Sequence, residues 1–206
     1  MPHSKSSQTW LREHFNDVYV KRAQKEGYRS RAVYKLKELD EKKKLLKPGM
    51  CVIDLGAAPG GWTQYVAQKI GGRGQIIALD LLPMDPLGDV VIIQGDFQDE
   101  AVLAQLIAAI PETGVDLILS DMAPNMSGHV AIDVPRAMAL SELAFDLAHQ
   151  ILKPGGAILL KVFHGAGFDV LLQLARKMFK DVMVKKPAAS RPRSRETYLL
   201  AKGYHF

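Results

Sequence analysis

The sequence contains one cysteine and no long apolar run. Cys51 is the only cysteine among 206 residues, so no internal disulfide can form. Its place at the start of an apolar run indicates buried strand packing. No run approaches the roughly 18 apolar residues that a membrane helix needs, and residues 1–10 are polar, unlike a secretion signal. We therefore expect a cytoplasmic protein that makes no contact with a membrane.

The sequence also lacks internal repeats and low-complexity tracts. Its 48% hydrophobic and 24% charged residues are typical of a soluble globular domain. A chain of this length can bury a core without disulfides or metal, and we expect no metal site. We expect one domain over residues 1–206 and a monomer. Residues 1–30 are predicted to form a basic, flexible extension, and residues 31–206 the core.

Positive charge is scarce in the middle of the chain and abundant at both ends. Residues 1–50 hold 13 Lys and Arg against 6 Asp and Glu, and residues 176–206 hold 9 against 2. The residues between them hold 5 against 14. Two basic ends that folding brings together indicate a polyanionic partner, most commonly nucleic acid. One run, Lys42 to Lys44, could equally be the solvated end of a helix.

Helical and strand patterns alternate along most of the chain. Apolar residues at three- and four-residue spacing predict a helix over 31–46, which ends before Pro48-Gly49. Strands are predicted near 51–55, 75–79, 90–93, 115–119, 157–162, 182–184 and 197–201, and further helices near 61–70, 100–110, 134–152 and 168–179. This alternation calls for a mainly parallel sheet with helices on both faces. The link between the last two strands is too short for a helical crossover, so the last strand is predicted to be antiparallel. The expected fold is α/β and Rossmann-like, with seven strands.

A glycine-rich turn follows the first predicted strand, in the sequence Asp54-Leu55-Gly56-Ala57-Ala58-Pro59-Gly60-Gly61-Trp62. Ligands of open α/β sheets bind at the carboxyl ends of strands, where glycines let the backbone approach closely. The spacing fits the dinucleotide fingerprint Gly-x-Gly-x-x-Gly poorly. It has the Asp-x-Gly-x-x-x-Gly form typical of S-adenosylmethionine-dependent methyltransferases, so Gly60 and Trp62 are predicted to bind that cofactor. The alternative is a purely structural strand-to-helix turn.

Two further carboxylates end predicted strands at the same edge of the sheet. Asp80 closes the second strand, where it can accept hydrogen bonds from both ribose hydroxyls, although Asp80 alone would also suit NAD. Asp96 follows the third strand and can accept a hydrogen bond from the adenine amino group, with Phe97 or Trp62 near the ring. Each carboxylate alone could be a solvated strand end or a helix cap. Together they favour a cofactor site.

The fourth strand runs into Ser120-Asp121-Met122-Ala123-Pro124-Asn125, which places Asp121 beside the transferable methyl group. Enzymes that methylate amino groups commonly carry an aromatic residue there, which stacks on a flipped base, and this segment has none. Cytosine-C5 methyltransferases need a nucleophilic cysteine, and Cys51 lies in a predicted buried strand away from this edge. The cysteine-dependent route is therefore excluded, and the segment lacks the aromatic residue common in enzymes that methylate amino groups.

Lys161 interrupts the otherwise apolar fifth strand near its end. An ammonium group is costly to bury, so a lysine in such a strand is usually paired or functional. Burial and a neighbouring cation can convert a lysine into a general base, whereas a nearby carboxylate opposes this. The alternative is a lysine whose amino group extends to solvent.

Over nearly its whole length the chain resembles the FtsJ/RrmJ (RlmE) family of large-subunit ribosomal RNA 2′-O-ribose methyltransferases. The resemblance is carried by Arg29-Ser30-Arg31-Ala32-Val33-Tyr34-Lys35-Leu36, Asp54 to Trp62, Asp121 to Asn125, Lys161-Val162-Phe163, and Arg193-Ser194-Arg195-Glu196-Thr197-Tyr198. It implies S-adenosyl-L-methionine as cofactor, S-adenosyl-L-homocysteine as product, and a catalytic tetrad at Lys35, Asp121, Lys161 and Glu196. Asp121 would also touch the cofactor, and Lys161 would accept the proton. Without the resemblance neither Lys35 nor Glu196 stands out.

The resemblance further implies a substrate, a uridine in the A-loop of 23S-type ribosomal RNA in the large subunit. The basic ends would then contact RNA through Arg12, Lys21, Arg22, Lys25, Arg29 and Arg31 on one side and Arg191, Arg193 and Arg195 on the other. Three alternatives stay open at this point. They are a methyltransferase acting on tRNA or another RNA, a small-molecule methyltransferase, and a catalytically silent RNA-binding module.

Overall fold

The computed structural model describes residues 17–125, 127–191 and 194–206. The predictions for Arg12, Arg193 and the first half of the basic extension lie outside these residues. Six helices are described, α1 (Val18–Glu26), α2 (Val33–Lys43), α3 (Gly61–Ile70), α4 (Glu100–Ala108), α5 (Val130–Ile151) and α6 (Phe168–Met178). The described strands are β1 (Cys51–Leu55), β2 (Gln75–Asp80), β3 (Val91–Gln94), β4 (Val115–Ser120), β5 (Leu152–Phe163), β6 (Phe179–Lys185) and β7 (Glu196–Tyr204).

The strands form one seven-stranded sheet in the order β3-β2-β1-β4-β5-β7-β6. β7 is antiparallel to both of its neighbours, and the other neighbouring pairs are parallel. The predicted Rossmann-like fold with an antiparallel last strand is confirmed. Two strands begin earlier than their patterns predicted, β5 at Leu152 and β6 at Phe179. These added residues directly follow α5 and α6, and no change in the spacing of apolar residues marks the end of either helix.

Two hydrophobic layers cover the sheet, because successive side chains of each strand point to opposite faces. Ile53 packs with residues of α4, α5 and α6, among them Phe145, in one layer. Val52 packs with residues of α2 and α3, among them Leu36 and Trp62, in the other. Both layers bury fully enclosed side chains, and truncation of one such leucine to alanine costs about 2–5 kcal/mol.

Helix α1 lies within the residues predicted to be a flexible extension. Asp17 caps it by accepting a hydrogen bond from the Tyr19 backbone N–H at 2.9 Å, and Gly27 ends it at φ 73°. Ala23 is buried in the layer that contains α2 and α3. Helix α1 is thus packed against the core through Ala23, and its own apolar face is too short to predict a helix.

The reversed direction of β7 brings its first residues to the edge where the parallel strands end. Glu196 is the register partner of Phe163, and Tyr198 that of Lys161, both near the end of β5. Asp80 ends β2, and Asp121 follows β4. Residues from distant parts of the chain therefore meet at one carboxyl edge.

Among the described residues, no helix is long and apolar enough to cross a bilayer.

Candidate active site

A lysine and a carboxylate from neighbouring strands form a pair at the centre of this edge. The Lys161 amino group lies 3.2 Å from Oδ1 of Asp121 and also donates a hydrogen bond to the Asp121 backbone carbonyl. The pairing of β4 with β5 places Ser120 opposite Leu160, so the two residues that follow are adjacent. The Asp121 backbone N–H donates to the Leu55 carbonyl at 3.2 Å, which holds the segment after β4 against β1.

A second lysine and carboxylate pair lies beside the first. Nζ of Lys35 in α2 is 2.8 Å from Oε1 of Glu196 in β7. Val33 and Leu36 are fully buried against the sheet, and this packing fixes the position of Lys35 between them. The structure thus brings together the four residues that the family resemblance implied. Their side chains are only 9–18% exposed, so water screens these charges weakly.

Tyr198 links the two pairs, and sequence reasoning assigned it no role. Its hydroxyl donates a hydrogen bond to Oδ1 of Asp121 at 2.6 Å, and the amino group of Lys35 lies 5.7 Å from the centre of its ring. The ring also packs on Trp62 at a centroid distance of 5.9 Å. Tyr198 and Glu196 are two residues apart in a strand and share a face. This two-residue spacing is the feature of the sequence that could have identified Tyr198 as a site residue. Only the register of β7 with β5, however, places Tyr198 against Asp121.

The charged groups of the site oppose the effect of burial on the pKa of Asp121. Burial alone would raise the pKa of Asp121, but the nearby Lys161 and Lys35 cations and the Tyr198 hydrogen bond lower it below its ordinary value. The pKa of Tyr198 is raised well above its ordinary value, first by burial and then by the negative charge of Asp121. Tyr198 therefore stays a hydrogen-bond donor to an ionised Asp121 at neutral pH.

A cavity of about 580 Å³ opens beside Asp121. Three of the predicted cofactor ligands, Asp80, Asp96 and Asp121, line it together with Phe97 and Gly56. Asp80 accepts hydrogen bonds from the backbone N–H groups of Ala58 at 2.9 Å and Leu82 at 2.8 Å. Asp96 accepts one from the Gln98 backbone N–H at 2.9 Å. Each carboxylate is oriented by the backbone and keeps acceptor capacity for a ligand.

The glycine-rich turn shapes one wall of this cavity. Gly56 has φ 73°, and a Cβ atom there would lie 2.9 Å from the Met122 side chain, so only glycine fits. Gly60 has φ 108°, but it lies outside the cavity lining, against the side chains of Arg29 and Met84. Its contact with the cofactor stays a prediction.

The ring of Trp62 also lies outside the cavity lining. It is buried, and its indole N–H donates to the Ala32 carbonyl at 2.8 Å. Of the two rings proposed to lie near the adenine, only Phe97 lines the cavity. The indole ring is enclosed by protein, and a cofactor contact by Trp62 stays a prediction.

Asp54 lies fully buried beneath the turn. The Thr63 hydroxyl donates to its Oδ2 at 2.7 Å, and within the described part of the chain Oδ1 has no hydrogen-bond partner. Burial is the main cause that raises the pKa of Asp54 to about 7, and the negative charge of Asp121 adds to it. Asp54 therefore anchors the turn, and it titrates near neutral pH.

The basic residues predicted to contact RNA fall into two groups. The Arg29 guanidinium donates to the backbone carbonyls of Asp85 at 2.8 Å and Pro86 at 2.9 Å. Arg31 pairs with Asp17 at 2.9 Å and donates to the Ala189 carbonyl. These two arginines hold segments of the protein together.

The other described members of that set are more accessible. Arg22 is paired with Glu26 at 2.6 Å, and Arg191, half-buried, lies 3.9 Å from Asp17. Lys21, Lys25 and Arg195 are exposed. These three remain the best candidates for contact with RNA.

Comparison with known proteins places the chain among methyltransferases. Residues 28–204 match the family model described as FtsJ-like methyltransferase. The chain is 64% identical to the ribosomal RNA large subunit methyltransferase E of Legionella pneumophila (strain Corby), with 100% of both chains covered. It is 58% identical to the protein of the same name from Pseudomonas fluorescens, over 99% of this chain and 98% of that one.

A solved structure from Plasmodium falciparum, described as a ribosomal RNA methyltransferase, shares 30% sequence identity and superposes with a TM-score of 0.76. The match covers 86% of this chain and 98% of that chain. The likeness therefore extends over the fold as well as the sequence.

Proposed function

Because the chain belongs to the FtsJ-like methyltransferase family, we propose that it methylates the ribose 2′-hydroxyl of a uridine in large-subunit ribosomal RNA. The observation that carries this proposal is the Lys161–Asp121 pair beside the cavity, linked through Tyr198 to the Lys35–Glu196 pair. The relatives are named for the large-subunit ribosomal RNA, and the A-loop uridine comes from the family resemblance.

The residues around the cavity fit S-adenosyl-L-methionine. The cavity volume of about 580 Å³ is within the range of small-ligand sites. Asp80 would accept the ribose hydroxyls, Asp96 the adenine amino group, and Phe97 would pack against the adenine ring. Asp121 would then lie at the methyl end. When bound, the cofactor supplies a methyl group on a positively charged sulfur, which makes the methyl carbon electrophilic.

A ribose hydroxyl is a poor nucleophile, so positioning supplies much of the rate. A bound cofactor would supply the methyl group to the 2′-oxygen and would leave as S-adenosyl-L-homocysteine. The proton of the hydroxyl passes to Nζ of Lys161, which must be neutral at that moment. Lys35 adds positive charge beside this pair, and Asp121 holds the Lys161 amino group in place. Glu196 orients Lys35 through their 2.8 Å contact.

RNA is favoured over DNA because only RNA carries the 2′-hydroxyl. Exposed cations lie on the N-terminal helix and ahead of β7, at Lys21, Lys25 and Arg195. Such cations bind phosphates without reading sequence. A small-molecule methyltransferase would have no need of them.

The proposal is tested by transfer of labelled methyl from S-adenosyl-L-methionine to four acceptors. These are purified large ribosomal subunits lacking the modification, free large-subunit ribosomal RNA, tRNA, and no RNA. We expect label in one or both ribosomal acceptors and none in tRNA. Label in tRNA alone would indicate that the substrate is tRNA and not ribosomal RNA. Cofactor turnover without RNA would indicate a small-molecule acceptor.

A further inference from the structure

We propose that a lysine-lined groove at the amino edge of the sheet, opposite the active site, binds the phosphate backbone of a second segment of the same large RNA. The amino-edge groove is defined by Lys44, Lys47, Lys153, Lys180 and Lys202. The proposal rests on the proposed function, because it takes the substrate to be a large folded RNA.

Two adjoining cavities, of about 410 and 350 Å³, make up the groove. Both are lined by Lys47, Met50, Asp116 and Gly155, so they form one continuous depression. Gly155 has φ 83° and open space where a side chain would lie. The floor therefore exposes backbone between the lysines, where a phosphate can approach closely.

The charge of the groove is strongly positive. Five lysines and two carboxylates line the groove, and one of the carboxylates, Asp116, already has partners within the protein. It accepts a hydrogen bond from the Cys51 backbone N–H at 2.7 Å and pairs with Lys153 at 3.0 Å. Among the residues that the structure describes, no carboxylate forms an ion pair with the other four lysines of the groove. Their charge is available to a polyanion.

The groove is built from both basic ends of the chain. Lys44 follows the last turn of α2 in a left-handed conformation, with φ 52°, and Lys47 lies three residues on. Lys180 lies at the start of β6 and Lys202 near the end of β7, strands that pair antiparallel. Lys44 is thus more than the solvated end of a helix, because lysines from three strands, β5, β6 and β7, line the same groove.

The groove and the active site cannot serve the same nucleotide. They lie at opposite ends of the parallel strands, and β1 alone spans five residues, or about 17 Å. An RNA segment in the groove must therefore be a different segment from the one that carries the nucleotide at Lys161. A hairpin short enough to be held wholly at the carboxyl edge would leave the groove empty, whereas a folded large-subunit RNA supplies many further backbone segments.

The test compares the K44E/K180E variant with K44R/K180R, which keeps the charge. A second control, K69E/R73E, makes the same change of charge at exposed positions outside the groove lining. Affinity for large-subunit ribosomal RNA and for a short hairpin carrying the target nucleotide is measured by filter binding at several salt concentrations. Methylation of both RNAs is measured separately.

For K44E/K180E we expect about tenfold weaker binding to the large RNA and a salt-dependence slope smaller by about 2. Binding to the hairpin, and its methylation, should match the wild type, as should every measurement on the two controls. Three outcomes would overturn the proposal that the groove binds RNA. They are unchanged affinity for the large RNA, an equal loss of affinity for the hairpin, and an equal loss of affinity in K69E/R73E. Failure of the wild-type protein to methylate both large ribosomal subunits and free large-subunit RNA would instead overturn the proposed function, while the binding data would still test the groove.

Discussion

The hydroxyl of Tyr198 donates a hydrogen bond to Oδ1 of Asp121 at 2.6 Å, and the same oxygen lies 3.2 Å from the amino group of Lys161. The phenol hydroxyl and the lysine ammonium group thus both contact the same carboxylate oxygen. The phenol ring meanwhile lies beneath the Lys35 cation. Any change at Tyr198 is therefore expected to act on Lys161 through Asp121 and on Lys35 through the ring.

Tyr198→Phe removes this hydroxyl and keeps the ring that packs on Trp62. A hydrogen bond to a charged group contributes about 1.5–3 kcal/mol, so we expect kcat to fall about tenfold. The pKa of Asp121 should rise toward its ordinary value, which can be followed by NMR titration of the Asp121 carboxyl group. Tyr204→Phe is the matched control, since the Tyr204 hydroxyl in the same strand contacts His149 instead. A loss of rate with an unchanged pKa of Asp121 would mean that Tyr198 has only a packing role.

Lys161→Ala should abolish the proposed proton transfer. We expect kcat at saturating RNA to fall by about 10²–10⁴, the usual effect of losing a general base. Cofactor affinity should change little, because Asp80 and Asp96 are untouched. The control is Lys37→Ala, which removes a lysine paired with Glu26 at 3.8 Å, away from the cavity. Near-normal turnover of Lys161→Ala with intact cofactor binding would refute the assignment of Lys161 as proton acceptor.

Asp80→Asn and Asp96→Asn should weaken cofactor binding with little effect on RNA affinity. Each replaces an oxygen acceptor that lines the cavity by an amide, which cannot accept as many hydrogen bonds. We expect the dissociation constant for S-adenosyl-L-homocysteine, measured by calorimetry, to rise about tenfold in each variant. Asp89→Asn, at an exposed position outside the cavity lining, serves as control. If neither variant binds more weakly than this control, the cavity is not the cofactor site.

Asp54 should make the stability of the protein depend on pH. Its pKa is raised from 3.8 to about 7, mainly by burial, so the folded protein keeps a proton that the unfolded chain has lost. The contribution of Asp54 to the free energy of unfolding is therefore greatest below about pH 4 and falls as pH rises to about 7. The whole change is about 4 kcal/mol.

The measurement is denaturant unfolding of the wild type and of Asp54→Asn between pH 4 and 8. The amide introduced by this substitution cannot ionise and still accepts the Thr63 hydrogen bond, so the wild-type stability should decline relative to that of the variant as pH rises. A constant difference between the two proteins would show that Asp54 does not titrate in this range.

The sequence predicted those features that depend on local patterns. The fold class, the glycine-rich turn and the placement of Asp121 and Lys161 follow from apolar periodicity and from residues at strand ends. The role of Tyr198 depends on the register of β7 against β5, which periodicity does not set. Helix α1 was missed because its stability comes from packing on α2 and α3. The direction of the Arg29 side chain depends on backbone carbonyls 56 and 57 residues away.

The position of the methyl group on the ribose can be measured directly. Large-subunit ribosomal RNA methylated with labelled S-adenosyl-L-methionine can be digested to nucleosides and fragmented in a mass spectrometer, which separates the sugar from the base. We expect the label to stay with the ribose of a single uridine, and Lys161→Ala to yield none. Label on a base would contradict this expectation.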